Sequence, residues 1–498
     1  MKDASIFYDD SNPSSIEHYA KQAIGKTFLD ILEDYFREKP EELIEKINYY
    51  NNPRSKGSLG NLIEKYYFYY EPNSISEPDF PKAKVELKVT PYEKLNKKGG
   101  YKAGERLVIG MIPRDTPIEP SLAGSHLFDK INLILIILYQ RIKGNERITH
   151  TIDYAKLFSI LGCKEDLLII EDDYKKIAEK IMDGRAHELS ESDTLYLGAC
   201  TKGATAEKST RPQYYNSEIP AKRRAFCLKQ GFMTYIINTY IFEDINTYEP
   251  IIKNAEELIG TDFESLVTTK INSFIGRSEN SLASQFLIDD GPKKKKAKGA
   301  FSQLAFRMLG VKSNNAEEFV KGNVIVKTIR LEENNTIRED MSFPTFVIKE
   351  FIEEDWEDSL VREYFSQNKF LFMIFKNENG RYVFKGCQFW NMPTFDLEGI
   401  GYQEWKISQD TFKNGIEFYF QGNKIANNLP NGSKSNIFFV RGHAHQTAHL
   451  INGVKYGKGQ SQLQTYADSL PNGDMMTNQC FWLTKKYVLS QLDTKFKS

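Results

Sequence analysis

The stretch Pro78-Asp79-Phe80-Pro81-Lys82-Ala83-Lys84-Val85-Glu86-Leu87-Lys88 predicts a β-strand with charged groups on one face. Valine and leucine alternate with Glu86 and Lys88, and strand side chains point to opposite faces with a period of two. The apolar set therefore faces a core, and the carboxylate and the ammonium share the other face. Asp79 lies upstream in a turn bounded by two prolines, so we expect its carboxylate to return beside Glu86.

Two converging carboxylates predict a magnesium site. The ligands would be Asp79, Glu86 and the main-chain carbonyl of Leu87, which leave positions for waters and a phosphate oxygen. Metal coordination lowers the pKa of a bound water and stabilises charge that develops on a phosphodiester. We expect Lys88 to orient that water and to help deprotonate it.

A further carboxylate, Glu64, lies in a predicted helix that opens at Gly57. We expect Glu64 to bind or orient water at the metal. Alone, this pattern of carboxylates and a lysine also fits a charged edge strand beside a turn. The segments on either side of it favour a catalytic site.

The motif resembles the PD…ExK signature of nucleases, and its flanks are similar to the MutH-like family. The matching segments are Arg54-Ser55-Lys56-Gly57 with Gly60 and Glu64, the Asp79 to Lys88 motif with Pro91, Ser125-His126 with Lys130 before the apolar run 131–138, Tyr196-Leu197 with Thr201-Lys202, and Arg224-Ala225-Phe226-Cys227-Leu228-Lys229. They occur in the order of the family. This agreement is far more specific than the motif itself.

The resemblance implies an α/β fold, a mixed sheet flanked by helices, and Mg²⁺-dependent hydrolysis of double-stranded DNA. It implies a catalytic group that consists of Glu64, Asp79, Glu86, Lys88 and Lys130. It also implies DNA contacts from Lys56, Lys202, Arg224 and Lys229.

One position departs from the family pattern. Cys200 stands where MutH carries an arginine, so base contacts do not transfer directly at this position. The Cys-Thr-Lys-Gly form resembles longer, internally duplicated restriction enzymes of the Sau type. That subgroup implies cleavage at GATC.

Length and composition agree with a duplicated enzyme. A chain of 498 residues is too long for one ordinary core, so two or three domains are expected. The formal net charge of −1 excludes a globally basic protein, so any DNA-binding surface must be local. The five cysteines are scattered without a CxxC motif, the N-terminus lacks an apolar signal core, and no apolar run reaches membrane-spanning length. We expect a reduced, cytoplasmic protein without membrane spans.

The second half of the sequence resembles the first. Val324-Ile325-Val326-Lys327 aligns with Val85-Glu86-Leu87-Lys88, Cys480-Phe481-Trp482-Leu483 with Ala225-Phe226-Cys227-Leu228, and Ile259-Gly260-Thr261-Asp262 with Ile24-Gly25-Lys26-Thr27. Separations near half the chain length predict two tandem domains of the MutH-like restriction-endonuclease fold. We assign residues 1–250 to a catalytic domain and residues 251–498 to an inactive one.

The second copy is predicted to have lost catalysis. Ile325 replaces Glu86, Phe306 falls near the Glu64 position, and Glu318 occupies the Asp79 register, whereas Lys327 is retained. One carboxylate and a lysine hold Mg²⁺ poorly. The basic run 293–298 and Arg441 instead predict a DNA-binding or effector domain, with DNA-induced self-association as a possible consequence.

The sequence thus predicts a type II restriction endonuclease that cuts double-stranded DNA at a short palindrome, with GATC implied by the resemblance alone. A MutH-type mismatch-repair nicking endonuclease and a non-catalytic DNA-binding regulator are the alternatives. A zinc site at His443, His445 and His449 is disfavoured because the sequence offers no cysteine or fourth ligand nearby.

Overall fold

The computed structural model describes residues 7–52, 57–72, 76–95, 100–202, 209–242, 248–286, 300–421, 424–444 and 446–497. The chain forms two compact units. Unit 1 comprises Met1–Phe263 and Ser313–Val324, and unit 2 comprises Glu264–Lys312 and Ile325–Ser498. None of the helices within these ranges combines the length and the apolar character that a membrane crossing requires.

Helices and strands alternate along both units. The helices are α1 (Pro13–Lys21), α2 (Phe28–Tyr35), α3 (Pro40–Asn51), α4 (Ser58–Leu62), α5 (His126–Ile131), α6 (Lys164–Met182), α7 (Gln230–Ile236), α8 (Phe263–Asn272), α9 (Glu279–Gln285), α10 (Ala300–Met308), α11 (Glu317–Lys321), α12 (Ile348–Phe351), α13 (Leu360–Gln367), α14 (Thr394–Asp396), α15 (Tyr402–Asn414) and α16 (Lys485–Gln491). The strands are β1 (Glu86–Lys94), β2 (Tyr101–Ala103), β3 (Leu107–Met111), β4 (Leu133–Gln140), β5 (Ile152–Ser159), β6 (Leu197–Thr201), β7 (Thr210–Arg211), β8 (Ala221–Lys222), β9 (Arg224–Leu228), β10 (Val324–Leu331), β11 (Met341–Thr345), β12 (Lys369–Glu378), β13 (Arg381–Trp390), β14 (Phe418–Gln421), β15 (Lys424–Asn427), β16 (Phe438–Gly442), β17 (Ala448–Ile451), β18 (Val454–Gly457), β19 (Ala467–Ser469), β20 (Met475–Thr477) and β21 (Gln479–Leu483). Segments of π-helix follow α4 (Ile63–Tyr67), α7 (Ile237–Ile241) and α14 (Leu397–Gly401). The predicted α/β class is confirmed.

Unit 1 is built on a mixed sheet of order β2-β1-β4-β5. Strand β1 runs parallel to β4, and the other two pairings are antiparallel. The apolar run of β4 is buried over most of its length, as expected for a central strand covered on both faces. Helices α1 and α2 and the aromatic residues 66–68 pack with this sheet into the core of unit 1. The sheet therefore presents β1 with its motif at a fixed place.

The N-terminal region forms three helices, α1 to α3, where the hydrophobic periodicity of residues 16–46 predicts a pair of helices interrupted at Pro40. Gly25 adopts φ +88, and its N–H donates to the carbonyl of Ile152 in β5. Thr27 then caps α2 in a capping box with Asp30. A left-handed glycine followed by a new cap ends one helix and starts another.

A second, antiparallel sheet of unit 1 has the order β3-β9-β6. Three backbone N–H groups at Leu195, Tyr196 and Leu197 donate to the buried carboxylate of Asp173 in α6. This carboxylate fixes the start of β6, a segment that the family resemblance assigns to DNA reading.

Unit 2 has a three-stranded sheet that corresponds to β1-β4-β5, without a counterpart of β2 among the described residues, and a second sheet that corresponds to β3-β9-β6. Its sheets are β10-β12-β13 and β11-β21-β16, with β12 antiparallel to β13 and β21 antiparallel to both of its neighbours. They enclose one large apolar core rich in aromatic residues. Two further sheets, β14-β15 and β18-β17-β20-β19, belong to unit 2. The repeated order matches the predicted tandem duplication.

The structural match corrects one sequence alignment. Gly276 has φ +86 and donates to the carbonyl of Phe384 in β13, as Gly25 does toward β5. Ser278 then caps α9 as Thr27 caps α2. Gly276, rather than the predicted Gly260, is therefore the counterpart of Gly25. The error arose because Ile-Gly occurs at both positions and short apolar matches do not fix a register.

Candidate active site

The motif strand β1 carries its charges as the period of two predicts. Val85 and Leu87 are buried in the core of unit 1, and Val89 packs against it. Glu86 and Lys88 share the opposite face, where the Lys88 ammonium donates to Glu86 Oε1 over 2.5 Å. Glu86 is more deeply buried than expected, with 1% of its surface exposed.

Asp79 is held beside this strand by two donors. The backbone N–H of Leu87 donates to Oδ2 over 2.8 Å, and the Tyr70 hydroxyl donates to Oδ1 over 2.9 Å. A short hairpin bridge between Phe80 and Val85 brings the two segments together. The predicted turn thus returns the carboxylate of Asp79 to the strand.

The geometry of β1 also orients the carbonyl of Leu87. In a strand, the N–H and the C=O of one residue point to the same side. The N–H of Leu87 is directed at Asp79, so its carbonyl lies on that side as well. The carbonyl and the Asp79 carboxylate are therefore neighbours.

Two lysines contact Glu86. Besides Lys88, the ammonium of Lys130 lies 3.2 Å and 3.3 Å from the two carboxylate oxygens. Lys130 belongs to α5, which is capped by Ser125 and leads into β4, and Glu86 pairs with Ile134 in the sheet. The parallel β1–β4 pairing therefore brings together two groups that are 44 positions apart in sequence.

Burial and charge shift the pKa values of these groups. Burial and then the Asp79 carboxylate raise the pKa of Glu64 to about 7. Burial raises the pKa of Glu86, against the effect of Lys88. Burial alone would lower the pKa of Lys88, but the carboxylates of Glu86 and Asp79 outweigh it and raise that pKa. The structure thus places Glu64, Asp79, Glu86, Lys88 and Lys130 within electrostatic range of one another.

The donor set fits a hard divalent cation. Asp79, Glu86 and the carbonyl of Leu87 offer oxygen ligands, the kind that Mg²⁺ prefers. Among the residues that the structure describes, no group of three or more His, Cys, Asp or Glu side chains is arranged to hold a metal. Such a site would rest on two carboxylates, a carbonyl and water, with Lys88 and Lys130 yielding part of their contact with Glu86.

Tyr70 is the one contact of this site that sequence reasoning did not single out. The run 66–70 predicts core packing, and Tyr66, Tyr67 and Phe68 are indeed buried there. Tyr70 instead reaches Asp79. No spacing rule relates these two positions, because the turn between them decides which way the ring points.

The residues predicted to contact DNA in unit 1 lie in different environments. Lys202 is exposed at the end of β6, and its N–H donates to the carbonyl of Arg223. Three arginines, at 114, 211 and 223, lie near Asp115 and lower the pKa of its carboxyl, with Arg114 contributing most. Lys56 lies outside the described residues. Arg211 and Arg223 are exposed, and Arg223 connects this group of arginines to Lys202 through the backbone.

Arg224 and Lys229 lie inside unit 1. The Lys229 side chain is fully buried, and its ammonium donates to the carbonyl of Thr194 over 2.5 Å. Arg224 is 9% exposed and donates to the carbonyl of Ala199 over 2.7 Å. Both side chains donate hydrogen bonds to backbone carbonyls in or near β6 and so stabilise this strand. Their burial does not favour direct contacts with DNA.

The corresponding face of unit 2 lacks the carboxylates. Ile325 on β10 packs against the core of unit 2, and Lys327 donates to the carbonyl of Ser342. Glu318 does not occupy the Asp79 position, contrary to the prediction. It belongs to α11 of unit 1, where its carboxylate accepts from the N–H groups of Ile251 and Ile252.

Arg441 is exposed on β16 of unit 2. Its guanidinium lies 4.0 Å from the ring centre of Trp482, whose indole N–H donates to the carbonyl of Arg441. Arg441 pairs with Cys480 as Cys200 pairs with Ala225 in unit 1. By strand register, unit 2 therefore carries an arginine where unit 1 carries Cys200.

The histidine segment of unit 2 shows one contact that the sequence could not reveal. Cys480 Sγ lies 3.3 Å from His443 Nδ1, although these residues are far apart in the chain. His449 is buried in β17 with its ring against Phe418, and burial lowers its pKa. His445 lies outside the described residues. His443 and His449 thus have different surroundings, which does not favour a shared metal.

Two comparisons with known proteins agree with this geometry. A family model described as "DNA mismatch repair enzyme MutH" matches residues 68–173, which include Asp79, Glu86, Lys88 and Lys130. The type II restriction enzyme Sau3AI of Staphylococcus aureus is 32% identical over 503 residues, which cover 96% of this chain and 98% of that protein. The second match spans both units.

Proposed function

Because the chain belongs to the MutH/Sau-type family of type II restriction endonucleases, which are site-specific deoxyribonucleases, we propose that it makes Mg²⁺-dependent double-strand cuts at the palindrome GATC. The observation that carries this proposal is the convergence of Asp79, Glu86, Lys88 and Lys130 on one face of β1. GATC rests on the resemblance of the Cys-Thr-Lys-Gly segment to enzymes of the Sau type. We also propose a cytoplasmic location, which agrees with five free cysteines.

Each residue of the site has a distinct role in the proposed reaction. Mg²⁺ held by Asp79, Glu86 and the carbonyl of Leu87 would polarise the scissile phosphate and lower the pKa of a bound water. Lys130 orients the Glu86 carboxylate through both of its oxygens. Lys88 presents a positive charge where negative charge accumulates on the phosphate.

Glu64 completes the proposed site. As a carboxylate it accepts a hydrogen bond from the attacking water and fixes the direction of attack. In the metal-free site, burial and the Asp79 carboxylate raise the pKa of Glu64 to about 7. A cation bound beside Glu64 would lower this pKa and favour the carboxylate form.

Digestion of a plasmid of known sequence, with Mg²⁺ or with EDTA, tests the proposed function. Sequencing of the fragment ends should give Mg²⁺-dependent linear fragments that end at GATC. Nicked circles would instead support a mismatch-repair type of nicking enzyme. Tight binding without hydrolysis of methylated and unmethylated plasmid alike would indicate a DNA-binding regulator.

Asp79→Ala should abolish cleavage and leave the fold intact. Asp10→Ala is the matched control, since Asp10 is an exposed carboxylate of unit 1 paired with Lys82 at 2.9 Å. We expect this control to cleave as the wild type does. Retained cleavage by Asp79→Ala would overturn the assignment of the site.

We further propose that residues 251–498 form a DNA-binding domain without catalysis. An exposed arginine stacked on tryptophan, as in Arg441 and Trp482, can contact both phosphates and bases. The basic run 293–298, outside the described residues, would add positive charge. DNA bound there would pair with the catalytic site or promote self-association.

Tryptophan fluorescence tests this second proposal, because all four tryptophans lie in unit 2. Adding a GATC duplex should change the emission of the wild type. Arg441→Ala should weaken the affinity for the duplex, as measured by this change in emission, about tenfold, because one cationic contact is lost. Arg381→Ala, at an exposed position on β13, is the control. Equal responses of both variants would count against Arg441, and sedimentation with and without DNA would detect self-association.

A further inference from the structure

Tyr70 contacts both Glu64 and Asp79, the first through its backbone and the second through its side chain. Its hydroxyl donates to Asp79 Oδ1 over 2.9 Å, and its backbone N–H donates to the carbonyl of Glu64 over 3.0 Å. The other oxygen of Asp79 accepts from the N–H of Leu87. Both carboxylate oxygens of Asp79 are therefore fixed, one by the strand and one by Tyr70.

An unusual backbone places Tyr70 there. The helix that carries Glu64 continues as π-helix over Ile63–Tyr67, which widens the turn by one residue. Tyr69 then adopts φ +59, a left-handed conformation that costs energy for a residue with a side chain. Strain of this kind persists where the surrounding structure requires it, and here it turns Tyr70 toward Asp79.

Unit 2 provides the internal comparison. There α10 has no π-helical turn, and the N–H of Val311 donates to the carbonyl of Phe306. Gly310 supplies the left-handed residue, with φ +77, at no steric cost. From Phe306 to Val311 is five positions, whereas from Glu64 to Tyr70 is six. Unit 2, which lacks the carboxylates, therefore also lacks the additional residue of the π-helical turn. It has a glycine in place of the strained Tyr69 and a valine in place of Tyr70.

We propose that Tyr70 is a positioning residue that aims the Asp79 carboxylate and couples it to Glu64, and thereby sets the affinity of the site for its divalent cation. This inference rests on the proposed function of Asp79 as a metal ligand. Tyr70 does not touch the reacting atoms. It acts through Asp79, as partners of metal-binding carboxylates do elsewhere.

The chemistry explains why a hydroxyl suits this position. A carboxylate with two fixed donors keeps the same lone pairs free for a cation and loses little orientational freedom on binding. A tyrosine donates without adding charge, so it does not compete with the cation as a third lysine would. Loss of such a partner lowers metal affinity or activity by about 10-fold to 100-fold.

Tyr70→Phe tests the proposal because it removes the hydroxyl and keeps the ring. Tyr67→Phe is the control: Tyr67 lies in the π-helical segment that precedes Tyr70 and donates to the backbone carbonyl of Tyr19 over 2.8 Å. Both changes delete one hydrogen-bonding hydroxyl and keep the ring. They differ in whether that hydroxyl reaches Asp79.

Two readouts separate positioning from a merely structural effect. Electron paramagnetic resonance of free Mn²⁺ measures cation binding to the full chain without DNA, and therefore without cleavage. Steady-state cleavage against DNA concentration, at several Mg²⁺ concentrations, gives kcat and the KM for DNA. For Tyr70→Phe we expect Mn²⁺ affinity to fall about tenfold, kcat to fall at limiting Mg²⁺ and recover at high Mg²⁺, and KM for DNA to stay within about twofold. Tyr67→Phe should match the wild type in all of these.

Wild-type Mn²⁺ affinity in Tyr70→Phe, or equal shifts in both variants, would overturn the inference. Tyr70→Met gives the same comparison if Tyr70→Phe shows no cooperative thermal transition. Asp79→Ala tests the proposed metal site itself. If that variant binds Mn²⁺ and cleaves normally, the proposed site itself is wrong, whereas a normal Tyr70→Phe beside an inactive Asp79→Ala rejects only the role of Tyr70.

Discussion

Strands β1 of unit 1 and β10 of unit 2 each lie beside a strand that has an antiparallel partner, although β1 also pairs with β2 whereas β10 is the first strand of its three-stranded sheet. On β1 the face opposite the core of unit 1 holds Glu86 between two lysines. On β10 the same face holds Ile325, packed against the core, and Lys327, whose ammonium contacts a backbone carbonyl. The order β1-β4-β5 therefore forms with the carboxylate, and the corresponding order β10-β12-β13 forms without it.

This difference separates what the fold requires from what the reaction requires. Apolar residues at alternate positions of each strand are enough to set the sheet. Glu86 is buried among charges, an arrangement that costs desolvation and that unit 2 does without.

The largest effect is expected from Glu86→Ile, which gives β1 the residue found on β10. Cleavage should fall on the order of 10³-fold or more, because the metal loses a ligand and the two lysines lose their common partner. Glu93→Ala, on the same strand but at an exposed pair with Arg141, should cleave normally. Linear product above about one hundredth of the wild-type rate would mean that Glu86 is not a ligand.

Lys321→Ala tests why the segment Ser313–Val324 packs in unit 1. The ammonium of Lys321 is buried between Asp166 at 2.7 Å and Glu317 at 2.6 Å, and it lies 4.1 Å from the ring centre of Tyr235. Removing it leaves two carboxylates without their cation, at a cost of about 3–5 kcal/mol. Urea unfolding followed by circular dichroism should show the loss.

Two observations sharpen this test. Tryptophan fluorescence reports unit 2 alone, so its transition should move less than the circular dichroism transition. Lys39→Ala removes an exposed pair with Glu42 and should leave the free energy of unfolding nearly unchanged. Equal small effects of both lysine variants would mean that the buried pair does not hold the segment in place.

Glu64, replaced by phenylalanine in unit 2, should make the stability of the metal-free protein depend on pH. Its pKa is raised from 4.5 to about 7, so the folded state binds the proton more tightly than the unfolded state does between these values. The free energy of unfolding should therefore fall as pH rises from about 4.5 to 7, and level off above. The change is on the order of 2 kcal/mol, given partial exposure.

The charged groups that act on Glu64 are Asp79 and Glu86, which raise its pKa, and Lys88 and Lys130, which lower it. Chemical unfolding in EDTA at pH 5 and pH 7.5 should therefore be compared between the wild type and Glu64→Gln. The difference between the two proteins isolates Glu64. An identical pH dependence in both proteins would contradict the raised pKa.

The sequence predicted the strand and its two faces because alternation is a local signal. It predicted Asp79 beside Glu86 because prolines restrict the turn between them. The resemblance brought in Lys130, whose approach to Glu86 depends on a parallel strand pairing that no local pattern encodes.

The remaining features depend on tertiary structure. The aromatic run 66–70 predicts core packing for Tyr70, and the family resemblance implies a DNA contact from Lys229. Whether a tyrosine or a lysine faces solvent, a carboxylate or a backbone carbonyl is decided by packing across distant elements. For the same reason the sequence alignment of Glu318 with Asp79 was wrong: Glu318 belongs to unit 1 and not to unit 2. The assignment of residues 1–250 and 251–498 to a catalytic and an inactive domain stays a prediction.

The smallest effect is expected from Lys327→Met in unit 2, the counterpart of Lys88. Burial lowers the pKa of Lys327, and no carboxylate contributes to that shift, in contrast to Lys88. The unfolded state therefore holds the proton more tightly, so the charged lysine destabilises the fold at neutral pH and stability rises as pH approaches 10.5. Methionine should raise the free energy of unfolding by about 1 kcal/mol at pH 7, with an advantage that shrinks toward pH 10. Tryptophan fluorescence in urea measures this, with the exposed Lys349→Met as control. Cleavage should be unchanged, whereas a loss of stability or of cleavage would mean that unit 2 still uses this lysine.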